Sequence, residues 1–354
     1  MRPRAAYVAL FAALACVLRT GVARGTECSG IISPCVNSDT LWVHAGPARF
    51  VAVGAGETVA PRQLGFGLVT SYLSRPIVLH VAAPGGLGTE ENAINDQVNG
   101  TFLWSYGVTD RLALDLALPL TFGQGGTGLS PVTGGRGLRD TAVRDMRFGF
   151  VLAIAPHPRV AADPSGDAPY AGRGAFGMVG RLEVSAPTGD GDQFAGERSA
   201  VFVPSLAVDG RSGRWFAGVE VGVRLRPTTQ LLSARVGSAI VTAVGAGYDI
   251  LRHERLSAVV EAWAVPNLAA QADVSTSTNT LVSTPNGAHI VPAEWQLSAR
   301  SAPLRSGDLS LQLGGGGSIP LGSEAAVTAP RFRITLGVRW APLGHDSGKD
   351  GGRP

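Results

Sequence analysis

Charged side chains recur inside apolar stretches of this 354-residue chain, where they alternate with apolar or small residues. In the stretch LALDLALPL, Asp115 falls on the side opposite the leucines, next to small residues such as Ala117. A charge that faces a low-dielectric wall needs either water or a charged partner. Such residues are therefore suited to forming ion pairs across an enclosed space or to lining a path for a polar solute.

The candidates of this kind carry both signs in similar numbers, as ion pairing requires. We predict that they line the inside of a closed sheet and name them as pore-lining candidates: Asp115, Asp145, Glu183, Glu220, Glu261 and Glu294 among the acids, and Arg147, Arg181, Arg224, Arg300, Arg331, Arg333 and Arg339 among the bases. Two interpretations stay open, namely an interior filled by paired charges and a solute path lined by them.

Other residue types that could do chemistry lack the spacing for it. The six histidines are scattered, and none lies in HExxH or beside GxSxG. His345, Asp346 and Ser347 are adjacent, and adjacent residues cannot form a catalytic triad. A GxGxxG match at Gly172 precedes a predicted strand, so no helix amino end is available to hold phosphate. We expect no catalytic residue and no cofactor, with a lipid-modifying enzyme barrel as a third alternative.

Carboxylates and cysteines raise the question of metals. Asp190, Asp192 and Glu197 in TGDGDQFAGE loosely resemble a calcium loop, but their spacing is not that of an EF-hand, and a solvated loop is the alternative. Cys28 and Cys35 form a close pair in CSGIISPC, and such a pair in a secreted protein predicts a disulfide. We expect no metal site.

The first residues have the composition of a secretory signal. Two arginines precede an apolar run over 5–18, and a small-residue cleavage site ends at Ala23, so we assign 1–23 to a removed signal peptide. A membrane anchor and a lipid attached to Cys16 are the alternatives. The run is shorter than the ~20 residues that a spanning helix needs.

Elsewhere the pattern of alternation defines three further regions. Residues 24–61 lack clean alternation and contain several prolines, so we predict a periplasmic extension or a plug that carries the disulfide. Residues 62–342 alternate throughout, and 343–354 form a flexible polar tail.

Alternation with a period of two, joined by connections that are alternately short and long, is typical of a membrane barrel with tight periplasmic turns and long outer loops. We therefore predict an all-β fold, a transmembrane antiparallel β-barrel of about twelve strands, with ten or fourteen as alternatives. The predicted strands lie near 63–73, 97–108, 112–120, 145–152, 176–185, 200–209, 215–225, 236–250, 256–265, 295–302, 309–315 and 331–340.

Aromatic residues lie near the ends of these strands, where a membrane barrel carries belts at the headgroup level. The expected belt residues are Trp104, Tyr106, Trp215, Phe216, Tyr248, Trp263, Trp295 and Trp340. The last strand also ends in an aromatic residue, which the barrel-assembly machinery is expected to recognise.

Four stretches of the sequence resemble myxobacterial outer-membrane barrel proteins, some of which are known as OmpA-domain or transporter proteins. These stretches are GPARFVAVGAGETVAPRQLGFGLVTSYLSRPIVL, VNGTFLWSYGVTDRLALDLALPLTFGQGG, LRDTAVRDMRFGF and SAPTGDGDQFAGERSAVFVPS, and the resemblance runs from about 28 to 342. The SAPTGD stretch is similar to the outer-membrane channel family associated with aromatic-compound degradation pathways. The resemblance implies a barrel more firmly than it implies a substrate.

From these observations we expect a protein of the bacterial outer membrane that acts as a passive channel for small or partly apolar solutes. The alternative is a structural or surface-interaction barrel with a closed lumen. The expected partners are outer-membrane lipids and lipopolysaccharide, the barrel-assembly machinery and small solutes. No basic patch points to nucleic acid, and the charged fraction of 16% fits a lipid-facing wall.

Overall fold

The computed structural model describes residues 28, 30–81, 89–134, 137–157, 175–251, 254–277, 280–303, 308–321 and 328–342. The predicted signal peptide with Cys16 and the predicted tail at 343–354 lie outside these residues. So do the three tail residues considered as a triad and the first two glycines of the GxGxxG match.

Strands make up almost all of the regular structure. In chain order they are β1 (Leu64–Val81), β2 (Thr89–Gly107), β3 (Leu112–Gly125), β4 (Ala142–Val143), β5 (Arg147–Ala155), β6 (Ala175–Ser185), β7 (Val201–Ser212), β8 (Trp215–Arg224), β9 (Thr229–Leu231), β10 (Ala234–Val236), β11 (Ala239–Leu251), β12 (Leu256–Ala264), β13 (Ala272–Ser277), β14 (Thr280–Pro285), β15 (Ala293–Ser301), β16 (Leu309–Ser318) and β17 (Phe332–Trp340). A one-turn helix α1 (Ser130–Thr133) and a 3₁₀ turn (Gly191–Gln193) lie in loops.

Twelve of these strands form a closed antiparallel barrel, which confirms the predicted fold class and strand number. The barrel strands are β1, β2, β3, β5, β6, β7, β8, β11, β12, β15, β16 and β17. Pairing of β1 with β17, from Phe66 opposite Trp340 to Ser74 opposite Phe332, closes the sheet. Closure satisfies the backbone hydrogen bonds of what would otherwise be two edge strands, as the hydrocarbon layer requires.

The two faces of the wall differ as the alternation predicts. Along β3, the side chains of Leu114 and Leu116 are exposed, whereas those of Asp115 and Ala117 are buried. Large apolar side chains such as Leu297 and Leu313 likewise lie on the outside of other strands. An exposed apolar wall of this kind is stable only against lipid. Among the described residues, no helix has the length and apolar character needed to cross a membrane.

Some elements differ from the sequence-based expectation. Strands β1 and β2 remain paired well past residue 73, where the predicted first strand ends. A register shift between Ser74 and Ile77 interrupts the alternation there, and the pairing resumes after it. Arg75 in this shift has a positive φ of 48° and precedes Pro76. The loops also contain two small hairpins, β9–β10 and β13–β14, which the alternation did not indicate.

For two aromatic residues the prediction of a place in the membrane belts is wrong. Phe216 and Trp263 are buried and belong to the apolar cluster inside the barrel, because they share the inward face of β8 and β12 with Glu220 and Glu261. Trp104, Tyr106, Trp215 and Trp295, by contrast, are exposed on the outer face.

Residues 33–60, here called the inner segment, lie inside the barrel. One end is held at the long-loop rim, where the Ser33 amide donates to the Gln230 carbonyl at 3.0 Å. The other end is held at the short-turn rim, where the Ala60 amide donates to the Pro342 carbonyl at 3.0 Å. The predicted Cys28–Cys35 disulfide is confirmed and lies at the long-loop end, with a Cα–Cα distance of 5.4 Å.

Candidate functional site in the barrel interior

The predicted pore-lining residues surround the inner segment. All of them are buried except Arg331, which is exposed and lies one residue before β17. Asp145 lies outside the strands, in the loop before β5. The barrel strands place the others on the inward face: Asp115, Arg147, Arg181, Glu183, Glu220, Arg224, Glu261, Glu294, Arg300, Arg333 and Arg339.

Acidic wall residues accept hydrogen bonds from the backbone of the inner segment. The Glu261 carboxylate accepts from the amides of Val51 and Ala52, each at 2.8 Å. The Glu220 carboxylate accepts from the Gly54 amide at 2.7 Å. Peptide groups that have no strand partner are thereby satisfied by side chains of the wall.

Arginines of the wall complete this pattern by donating to carbonyl oxygens of the segment. Arg339 donates to the Phe50 carbonyl at 3.0 Å, and Arg147 donates to the Val43 carbonyl at 3.0 Å. Arg224 of β8 donates to the Thr40 carbonyl at 3.2 Å.

Ion pairs join the segment to both halves of the wall. Arg333 lies 2.9 Å from Asp39 of the segment and 2.7 Å from Glu294 of β15. His44 of the segment lies between two wall carboxylates, 3.3 Å from Glu183 and 3.3 Å from Glu220. The buried charges are therefore partnered largely within one network of segment and wall.

The remaining candidates pair with other wall or loop residues. Arg181 lies 3.4 Å from the Glu220 carboxylate, and Asp115 accepts from the Ser105 hydroxyl at 2.5 Å. Arg300 pairs with Glu254 at 2.6 Å in the turn after β11.

Asp145 acts within the loops rather than in the lumen. It accepts from the backbone amides of Gly189 at 2.8 Å and Glu197 at 2.7 Å. Burial raises the pKa of its carboxyl to about 7, although these two hydrogen bonds oppose that rise.

Several interior residues were not among the candidates. Arg49 of the segment pairs with Asp209 at 2.9 Å, and Glu254 pairs with Arg211 at 3.1 Å. Asp209 lies two residues after Ala207 on the same inward face of β7. The alternation of this strand could therefore have identified it as an interior residue. The charges of the segment carried no such signal, because the segment has no period.

Apolar contacts hold the middle of the inner segment. Phe50 packs against Phe216 with ring centroids 5.6 Å apart. Gly218 and Gly245, which pair across β8 and β11, form a slot for the Phe50 ring. A Cβ added at Gly245 would lie 2.5 Å from the ring, and one added at Gly218 would lie 2.9 Å from it. Only glycine fits at these positions while Phe50 keeps its place.

Small cavities lie between the segment and the wall in the described part of the chain. One, lined partly by Arg49, Glu57 and Arg339, has a volume of ≈ 10 Å³. Another, lined partly by Trp42 and Arg224, has a volume of ≈ 20 Å³. Cavities of this size accommodate about one water molecule.

The carboxylates considered as a calcium loop are engaged by arginines. Arg139 lies 3.1 Å from Asp190 and 3.2 Å from Asp192, and Glu197 pairs with Arg226. In the part of the chain that the structure describes, no group of three or more histidine, cysteine or acidic side chains is arranged to hold a metal ion.

No protein-family model and no curated protein matches the chain. Solved structures do match. An outer-membrane channel of Pseudomonas putida F1 aligns with a TM-score of 0.53 and 14% identity, over 81% of this chain and 98% of that chain. The NanC porin aligns at 0.41 and 6% identity, over 79% and 100%. The Pseudomonas putida toluene transporter TodX aligns at 0.37 and 10% identity, over 88% and 97%.

The first of these likenesses agrees with the closed barrel. At such low identity a likeness establishes the fold and does not transfer a substrate. The chain is a bacterial outer-membrane β-barrel protein with the fold seen in outer-membrane channels.

Proposed function

We propose that this barrel is a passive outer-membrane channel for small or partly apolar solutes, and that the inner segment closes it in the state described here. The observation that carries this proposal is the engagement of charged wall residues such as Glu261, Glu220 and Arg339 by the backbone of the segment. If the segment is displaced, the same side chains line a polar path through the membrane.

The inner segment has the length that displacement requires, and no strand pairing holds its middle. Between its two ends the segment pairs with no strand. The isolated bridges Ile32–Leu231 and Pro61–Gly107 lie immediately before and after it. Fully extended, residues 33–60 would reach roughly 90 Å. The hydrocarbon layer is only about 30 Å thick. The middle of the segment can therefore move aside while both of its ends stay in place.

The resemblance of the SAPTGD stretch to channels associated with aromatic-compound degradation supports partly apolar solutes within this proposal. We also propose, as the sequence suggested, that lipopolysaccharide surrounds the outer wall and that the assembly machinery recognises β17 at its end, Trp340. The myxobacterial origin stays a prediction from the same resemblance.

Recording single-channel conductance of the full-length protein in planar bilayers tests the proposal. We expect infrequent openings for the wild type. Gly245→Ala removes space from the Phe50 slot and should raise the open fraction severalfold. Gly337→Ala is the matched control, because a Cβ there would make only ordinary contacts, the nearest at 3.6 Å.

A second measurement decides the matter if openings are too rare to record. Liposome swelling with small sugars and aromatic solutes should be faster for Gly245→Ala than for the wild type. If neither protein shows conductance or solute flux while both remain correctly folded barrels, the channel proposal is wrong.

A closed-lumen structural or surface-interaction barrel is the second candidate. The burial of the charged wall residues around the inner segment favours it. Deletion of the gene would then leave solute permeability unchanged and alter envelope integrity or adhesion.

A further inference from the structure

Two buried arginines in the outer half of the lumen contact the inner segment without a carboxylate partner, as Arg339 does near the short-turn rim. Arg147 is the first residue of β5 and Arg224 is the last residue of β8, so both lie at the long-loop end of the barrel. Their exposed fractions are only 4% and 3%. Arg333 and Arg300 have carboxylates at 2.7 and 2.6 Å, whereas among the described residues no carboxylate lies within ion-pair distance of Arg147 or Arg224.

The acidic groups that interact electrostatically with these arginines at longer range already have other partners. Glu183 lies 3.3 Å from His44, and Glu197 pairs with Arg226. Asp39 lies 2.9 Å from Arg333. In the described part of the chain, these two arginines are thus cations without a carboxylate partner of their own.

The inner segment supplies the groups that Arg147 and Arg224 do contact. Their guanidinium carbons lie 4.8 Å and 4.5 Å from the centroid of the Trp42 ring. They donate to the carbonyl oxygens of Val43 and Thr40, on either side of that ring in the sequence. One aromatic ring, with oxygen acceptors beside it in the chain, therefore contacts both cations.

Carbonyl oxygens satisfy these arginines only in part. Among the described residues, Nη1 of Arg147 and Nε of Arg224 have no hydrogen-bond partner. An uncharged carbonyl is also a weaker acceptor for a guanidinium than a carboxylate, which binds the planar fork with two oxygens. A small organic anion would replace the carbonyls with a better partner.

We propose that Arg147 and Arg224 form a binding site for an aromatic carboxylate, and that Trp42 with its neighbouring carbonyls is an internal ligand of that site. The aromatic ring of the solute takes the place of the indole over the guanidinium groups, and its carboxylate takes the place of the carbonyl oxygens. This inference rests on the proposed channel function, because the solute reaches the site only when the segment moves aside.

Titration calorimetry of benzoate into the full-length, detergent-solubilised protein tests the site without requiring transport. Arg147→Gln and Arg224→Gln should each weaken benzoate binding at least tenfold. Arg331→Gln is the matched control, because it removes the same charge from an exposed position at the same rim, and its affinity should be unchanged. Benzyl alcohol, which has the ring without the charge, should not distinguish these variants.

Trp42→Ala provides a second test that leaves both arginines in place. Removal of the internal ligand should tighten benzoate binding severalfold. Affinity that stays unchanged or weakens in Trp42→Ala would overturn the role of Trp42. Benzoate affinity that is equal in the wild type and both arginine variants would overturn the site itself.

The two proposals can fail separately. Saturable benzoate binding that depends on both arginines, in a protein with no conductance or solute flux, supports the site and rejects the channel. Conductance that benzoate leaves unchanged, together with benzoate binding that does not depend on the arginines, rejects the site and keeps the channel.

Discussion

At the level of single residues, Arg333 joins the inner segment to the wall more directly than other arginines. It is 1% exposed and contacts carboxylates on both sides, Asp39 and Glu294. Replacement by alanine would leave two buried carboxylates without their cation. We expect Arg333→Ala to lower the free energy of unfolding by about 3–5 kcal/mol.

Unfolding by urea in lipid vesicles would measure this loss. The control is Arg331→Ala, since Arg331 is exposed two positions away on the same chain, and it should change stability by less than about 0.5 kcal/mol. Equal effects of the two substitutions would show that the buried network does not stabilise the barrel.

The lowered pKa of Glu254 predicts that the free energy of unfolding falls at acid pH. Burial alone would raise the pKa of this carboxyl, but Arg300, Arg49 and Arg211 outweigh burial and hold it at about 2, below its ordinary value of 4.5. A lowered pKa in the folded state means that the contribution of Glu254 is complete above about pH 4.5 and is lost as the pH falls towards 2.

The expected contribution is about 3 kcal/mol above that range, from the size of the shift in pKa. Comparing the urea unfolding of wild type and Glu254→Gln at successive pH values measures it. The difference between the two proteins should be constant above pH 5 and should shrink towards pH 2. A difference that does not change with pH would contradict the assignment.

At the level of elements, the alternation of β3 places Leu116 on lipid near the middle of the membrane. Leu116→Arg should therefore cost about 2–4 kcal/mol of unfolding free energy, whereas Leu112→Arg at the short-turn rim should cost about 0–1 kcal/mol. Urea unfolding in vesicles compares the two. A larger cost at position 112 would contradict the depth in the membrane that is assigned here to these two residues.

Strands with strict alternation could be predicted from the sequence because each residue of a membrane barrel faces one of two unlike environments. Strand β17 shows this pattern over its whole length, with Arg333 and Arg339 on its inward face and Ile334 and Val338 on its outward face. The pattern fails where the backbone shifts register, as between Ser74 and Ile77 in the first hairpin.

The candidate site could be predicted only on its wall side. Residues such as Glu220 and Glu261 follow from the period of their strands. The inner segment has no period, since its peptide groups bond to side chains such as Glu261 and Arg339 instead of to a neighbouring strand. Gly218 and Gly245 gave no sign of their role, because the Phe50 ring that they accommodate comes from a distant part of the chain.

At the level of the whole molecule, the chain enters the lumen from the long-loop rim and leaves it at the short-turn rim before β1 begins. In an outer-membrane barrel the long loops face outward and the short turns face the periplasm. Gly30, beside the rim-held end of the inner segment, should therefore lie on the outer surface of the cell, although most of the segment is buried within the barrel.

Epitope insertion tests this direction of the chain. An epitope inserted at Gly30 should bind antibody on intact cells, because Gly30 is exposed and a Cβ there would meet none of the described residues within 4 Å. Gly213, equally open in the turn between β7 and β8, is the control and should bind antibody only after the outer membrane is permeabilised. The opposite result at both positions would reverse the barrel in the membrane. Periplasmic exposure of Gly30 alone would place the beginning of the inner segment outside the lumen.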